Sequence, residues 1–509
     1  MAKVNRPLIF TDDGWIMTHE PPLTPEIILE KMIKPLADTP AALWWSVGDH
    51  EVYHYETQVG EIMGEGRELA ELPDDLGRMA ANVRHLIETS GGPLSVLVDL
   101  CRQAGVEFLP RVRMNSHYAR DPTGADYGRF RREHPELLIG ACEEDIPPGT
   151  IDWDIRTGKD FKFPQVRDYM YSIITELFER FDVDGVEMDF NRHPAFFRRE
   201  ESYQQRYMMT DLVRRVRTRM QEVGKERGRP IKLAVRVPPT LADGQRIGLD
   251  VAGWMRQGLV DIVTAGMGWI PFEMPIREFA EAARGTQVQV YGCIEALRPT
   301  VDDNVLRAAA ARFWSAGAGV YLYNFFHMPT EWNQRILNQL ANPELLARLD
   351  KRYELDHTDR IAYAGHGGAF RNAVPAVQLP VALRQTRTGG GPALYLDIAD
   401  ELEAARADGA LERCVLGLLV DNFAPVDELE VCVNGETLPW SASRTSSTGG
   451  MLRFPALEGR RNIHYDLDSP PLKQGQNQLE IGLVSQGPRQ TDAAVLVGVE
   501  VTIAYEKKT

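Results

Sequence analysis

Carboxylates crowd one stretch of this chain, Phe181-Asp182-Val183-Asp184-Gly185-Val186-Glu187-Met188-Asp189-Phe190-Asn191-Arg192. From Val183 to Phe190 it alternates like a β-strand. Val186, Met188 and Phe190 supply an apolar side, and Asp184, Glu187, Asp189 and Asn191 supply a polar one. Helical patterns flank it on both sides, which predicts a parallel strand covered on both faces. Acids on such a strand are costly unless something pairs with them or uses them. A further carboxylate, Glu295, ends the apolar run Gln287 to Ile294. Two carboxylates facing one cleft suit glycoside cleavage. One donates a proton to the leaving oxygen, and the other attacks the anomeric carbon or activates water. The candidate catalytic residues are therefore Asp189, Glu295 and Glu187. Asp189, among arginines, suits the nucleophile or base. Glu295 follows Tyr291, Cys293 and Ile294 in a less charged setting that suits the acid. Glu187 lies deeper and also reads as a counter-charge to Arg113 and Arg236.

Around these residues, eight strand-like segments alternate with helices: 7–10, 41–47, 106–112, 183–190, 231–237, 261–265, 287–294 and 319–325. That order predicts an α/β fold, a (β/α)8 TIM barrel, over residues 1–355. A doubly wound open sheet is the alternative, disfavoured by the lack of a GxGxxG turn after the first strand. From 356 to 509 short strands follow one another without helices between them, which predicts a C-terminal β-sandwich. The junction Leu346 to His357 is charged and helix-like, with no Gly/Pro-rich tether, so the second unit should pack on the barrel, in a structural role.

A barrel works at the C-terminal ends of its strands. Substrate-binding candidates there are Asp12, Asp13 and Trp15 after the first strand, Trp45 and His50 on and after the second, and Arg113, Asn115 and His117 after the third. Asn191, Arg236, Trp269, Asn324 and His327 complete the set. Of the neighbours Trp44 and Trp45 only one can face inward. Aromatic rings offer faces for the CH-rich side of a sugar, and arginine and asparagine offer donors to hydroxyls. Each residue also has a plainer reading: Asp12 and Asp13 as a strand end and helix cap, the histidines as hydrogen-bonded wall residues.

Composition narrows the classes. The net charge is -16 with no basic stripe, which argues against a nucleic-acid partner. No apolar run is long enough for a membrane span, and the start shows no signal-peptide pattern. Five cysteines lack CxxC spacing, as expected of free thiols in the cytoplasm. No His-x-His or ligand-spaced cluster calls for a metal, and no cofactor is expected. The expected partner is a carbohydrate substrate, and a homo-oligomer is compatible with the sequence.

The run Phe163-Pro164-Gln165-Val166-Arg167-Asp168-Tyr169, followed by the acidic stretch through Arg192-His193-Pro194, resembles the family 10-like glycosyl hydrolases of bacteria. The resemblance covers roughly residues 5 to 340 and implies a (β/α)8 barrel that cleaves carbohydrate, without fixing the roles of the carboxylates. The same strand is similar to the DGxDxDxE motif of family 18 chitinases, but Asn191 stands where that family carries its acid glutamate. Glu295 resembles the nucleophile position of the large retaining barrel clan, whose Asn-Glu pair on the fourth strand is absent. A non-catalytic carbohydrate-binding barrel and a metal-dependent hydrolase or lyase are the competing readings.

Overall fold

The computed structural model describes residues 8–49, 51–116, 121–141, 145–191, 194–266, 272–295, 302–326, 330–355, 377–383, 391–446, 459–485 and 493–506. Eight parallel strands close into a barrel in sequence order: β1 (Leu8–Asp12), β2 (Ala41–Ser46), β3 (Phe108–Arg113), β4 (Gly185–Asp189), β5 (Lys232–Val237), β6 (Ile262–Ala265), β7 (Gln289–Glu295) and β8 (Gly319–Tyr323). β8 pairs back onto β1, with Tyr323 opposite Thr11. Each strand is buried on both faces. Outward residues such as Leu43, Trp45, Val186, Met188 and Val235 join the core under the helices. Inward residues, among them Ile9, Trp44, Leu109, Ala234, Tyr291, Tyr321 and Tyr323, fill the barrel as a separate cluster.

The helices that bracket β4 explain its position. Helix Pro164–Glu179 starts with proline at its first position, where no N–H is needed. It buries Val166, Met170, Ile173, Ile174 and Leu177, and helix Ser202–Arg227 follows the strand. The Asp184-Gly185 pair serves the fold. A Cβ at 185 would stand 2.5 Å from the Lys232 carbonyl oxygen, so glycine lets β4 and β5 approach. Asp184 accepts a 2.9 Å hydrogen bond from the Phe108 N–H and meets Arg229 at 3.3 Å. It therefore closes the N-terminal end of the barrel and does not belong to the acidic face.

Beyond the barrel lie two antiparallel sheets with a shared apolar core. One contains β9 (Lys351–Glu354), β10 (Val381–Ala382), β12 (Leu411–Asp421), β15 (Ser443–Ser446), β16 (Arg461–Asp466) and β18 (Val495–Tyr505). The other contains β11 (Ala393–Ile398), β13 (Glu428–Val433), β14 (Glu436–Leu438) and β17 (Gly475–Ser485). The junction, expected to be helix-like, is helical only over Pro343–Leu346 and then becomes β9, paired with β18. Its charges had hidden the strand, yet each finds a partner: Lys351 Nζ meets Asp400 at 2.8 Å, and Arg352 meets Asp302 at 2.6 Å. Other polar contacts join the sheets to the barrel. Asp397 faces Arg312 at 3.4 Å and Arg277 at 3.7 Å, and the Gln378 amide donates to Glu273 at 3.0 Å.

Candidate active site

Inside the C-terminal end of the barrel, three arginines and four carboxylates interleave. Arg111 from β3 donates to Asp189 at 2.8 Å, pairs with Asp13 and lies 3.8 Å from Glu187. Arg113, one alternation further along β3, pairs with Asp13. Arg236 from β5 lies 3.5 Å from Asp189 through Nη1 and pairs with Glu295 through Nη2. Two tyrosines from β8 complete the lattice. Tyr321 donates to Glu187 at 3.0 Å, and Tyr323 donates to Asp13 at 2.8 Å. The Tyr323 ring has Arg111 4.7 Å and Arg236 4.3 Å from its centre, a cation–π arrangement on both counts. All of these side chains are buried. Several polar atoms in the same region have no hydrogen-bond partner: Glu295 Oε2, Glu187 Oε1, Asn191 Oδ1 and Thr264 Oγ1.

The lattice pulls neighbouring acids apart. Burial, then the charge of Asp189, push Glu187 up to about 8, against the opposing pull of Arg111, Arg236 and the Tyr321 hydrogen bond. Burial also works to raise Asp189, but Arg236, Arg111, the Asn191 N–H and Arg113 outweigh it and hold Asp189 below the ordinary carboxylate range. At neutral pH Glu187 is thus protonated and Asp189 ionised, two layers of one strand with opposite proton states.

The side-chain directions correct several sequence expectations. Asp13 reaches the site, but Asp12 faces away and accepts from the N–H groups of Trp15 (3.1 Å) and Ile16 (3.4 Å) as a cap. Burial and the adjacent Asp13 push Asp12 up to about 7. Trp15 is largely exposed, and Trp45 lies outside the barrel in the helix-facing core. Trp44 is the inward neighbour and stacks edge-on with Tyr321. Asn115 is a strut: its amide donates to the carbonyls of Lys159 and Ala195 and accepts from the N–H groups of Ser116 and Lys159. The Asn191 side chain goes to the Gly266 carbonyl, and only its backbone N–H reaches Asp189, at 2.9 Å. Asn324 lies 3.5 Å from Asp13. Glu295, expected in a less charged setting, is paired with Arg236. Arg113 and Arg236 were the expected counter-charges of Glu187; Arg236 does act on it, but the cation beside it is Arg111 and Arg113 pairs with Asp13. His50, His117, Trp269 and His327 lie outside the described residues. Arg111, Tyr321 and Tyr323 were missed, although they share the alternation phase of Arg113 on β3 and of the inward β8 positions.

Among the described residues, no group of three or more His, Cys, Asp or Glu side chains could hold a metal ion. The described cysteines, Cys101, Cys293, Cys414 and Cys432, are free. No helix among them is long and apolar enough to cross a membrane.

No protein-family model matches the chain, and no curated protein matches it. Solved structures do. An endo-β-1,4-mannanase from Thermotoga petrophila aligns over 97% of each chain at 10% identity and a TM-score of 0.43. An α-L-fucosidase isoenzyme 2 from Paenibacillus thiaminolyticus aligns over 68% of this chain at 12% identity and a TM-score of 0.42, and the match spans half of the fucosidase. A GH27 β-L-arabinopyranosidase from Geobacillus stearothermophilus aligns over 98% of this chain and 96% of its own at 13% identity and a TM-score of 0.38. Likenesses this weak decide nothing about chemistry. The barrel itself rests on the strand pairing.

Proposed function

We propose that this protein is a glycoside hydrolase that works at the C-terminal mouth of the barrel, with Asp189 and Glu295 as its catalytic carboxyls. The observation that carries this reading is Arg236, whose two terminal nitrogens reach Asp189 and Glu295, so acids from β4 and β7 meet at one guanidinium. Asp189, held ionised, is suited to attack the anomeric carbon or to activate water. Glu295 lies across Arg236 from it and is placed as the second carboxyl of the pair. The resemblance to the family 10-like glycosyl hydrolases points the same way.

A second reading, binding without cleavage, draws on the arginine contacts made by Asp13, Asp189 and Glu295. Turnover separates the two. The purified protein, with Asp189→Asn and Glu295→Gln beside it, is assayed on a panel of glycans. Cleavage lost by about 10³-fold or more in both variants, with circular dichroism unchanged, supports the hydrolase. Near wild-type turnover in either variant removes that residue from the chemistry. Binding to the panel without any cleavage by the unsubstituted protein selects the second reading.

A further inference from the structure

A cleft of about 970 Å³ runs between the barrel and the smaller sheet, outside the site described above. One wall is the segment Phe272 to Ile276, part of the connection that leaves the mouth end of β6 for helix Ile276–Ala282. The other wall is the outward face of edge strand β11 and its partner β17. On β11 the burial alternates: Leu394, Leu396 and Ile398 enter the sandwich core, while Ala393, Tyr395 and Asp397 face outward. Tyr395 is 44% exposed, one of few large apolar side chains in that state among the described residues. It stands opposite Gln478 on β17, and Asp397 stands opposite Gln476.

The chemistry of the walls selects a ligand class. Glu273 and Asp397 supply two carboxylates, and Arg277 and Arg312 two guanidiniums, so the formal charges cancel. Phosphates, nucleic acids and strongly acidic peptides gain nothing from such a lining. An open ring face beside planar amides and a partly exposed guanidinium fits a neutral, many-hydroxyl ligand. The ring packs against the CH face of a sugar, and Gln476 and Arg277 bond its hydroxyls. The volume is at the upper end of the usual range for small-molecule sites, room for several sugar rings.

We infer that this cleft is an accessory binding site for a neutral oligosaccharide, seated on Tyr395 and bonded by Gln476 and Arg277. The inference rests on the glycoside hydrolase reading for its biological sense but is tested apart from it. Cello-, manno-, xylo- and maltohexaose are titrated calorimetrically into the full chain and into Tyr395→Ala and Gln476→Ala, both changes at surface positions. A hexaose that the unsubstituted protein cleaves is titrated in the Asp189→Asn background. At least one hexaose is expected to bind, with affinity reduced about tenfold by Tyr395→Ala through loss of the ring face, and by a smaller factor in Gln476→Ala. Failure of every hexaose to bind, or identical isotherms with and without Tyr395, overturns the inference. Cleavage of the same hexaoses reports on the mouth alone. Tyr395-dependent binding without cleavage sinks the hydrolase and keeps the cleft. Cleavage with Tyr395-independent binding does the reverse.

Discussion

Glu187→Gln separates a buried neutral acid from a buried counter-charge. Glu187 is fully buried, and its pKa stands at about 8 against an ordinary 4.5. Because the folded value is raised, the folded protein keeps a proton on Glu187 that the unfolded chain loses above pH 4.5. The wild-type protein therefore loses stability as pH rises between those values, by about 1.4 kcal/mol per unit. Over the interval from 4.5 to 8, roughly 3.5 pH units, the loss sums to about 5 kcal/mol. Glutamine keeps the shape, can accept from Tyr321 as the acid does, and has nothing to titrate. The variant should match the wild type near pH 5 and exceed it increasingly up to pH 8, by a few kcal/mol at the top of the range. Urea unfolding at half-unit steps from pH 5 to 8.5 gives the difference directly. A flat difference, or a variant weaker by about 3 kcal/mol or more near pH 6, would mean that Glu187 is ionised and compensates Arg111, and the neutral-acid account would be wrong.

Three other substitutions probe the same lattice. Arg236→Gln removes one of the cations that hold Asp189 low, so the acidic limb of the kcat profile should move to higher pH. An unmoved limb would detach Arg236 from Asp189. Tyr321→Phe deletes the donor to Glu187 and should cost about 1 kcal/mol in denaturant unfolding, with a larger loss only if the hydroxyl has further partners. Asn115→Ala strips a buried amide that bonds two carbonyls and two N–H groups, and should cost about 2–3 kcal/mol while leaving KM for any cleaved glycan within a factor of about two. A selective rise in KM would return Asn115 to substrate binding.

The barrel was legible because period-two alternation is written into every strand. The outward residues Val186, Met188 and Val235 are apolar because helices cover them, and glycine, proline and polar residues punctuate the ends. The β9 strand was not legible, because Lys351-Arg352-Tyr353-Glu354 looks solvated until Asp400 and Asp302 are brought to it from elsewhere in the chain. At the site, strand ends named the right neighbourhoods but not the right member of each adjacent pair. Asp12 and Asp13, like Trp44 and Trp45, differ only in which side of one strand they face, and that phase is fixed by pairing: Thr11 stands beside Trp44, both inward. Arg111 escaped notice because it sits one alternation deeper than Arg113, where a charge looks implausible until Asp13, Glu187 and Asp189 surround it. Asn115 and Asn191 were read as substrate ligands from their place alone. The Asn115 amide is instead consumed at both ends by backbone groups, and the Asn191 nitrogen goes to the Gly266 carbonyl, in loops that sequence cannot locate.

The strand Val495–Tyr505 sits in the interior of its sheet, bonded to Lys351–Glu354, Val381–Ala382 and Leu411–Asp421. These partners precede it by roughly 75 to 150 residues, so the sheet is assembled from contacts of high sequence separation and forms slowly. During synthesis from the N-terminal side, all eight barrel strands emerge long before this one and can close first. The finished barrel then carries unsatisfied edges of β9 and β12 until the last partner arrives, an interval in which they are open to pairing with another chain. A ribosome stalled before residue 495 should therefore hold a folded barrel beside an unfinished, aggregation-prone sheet.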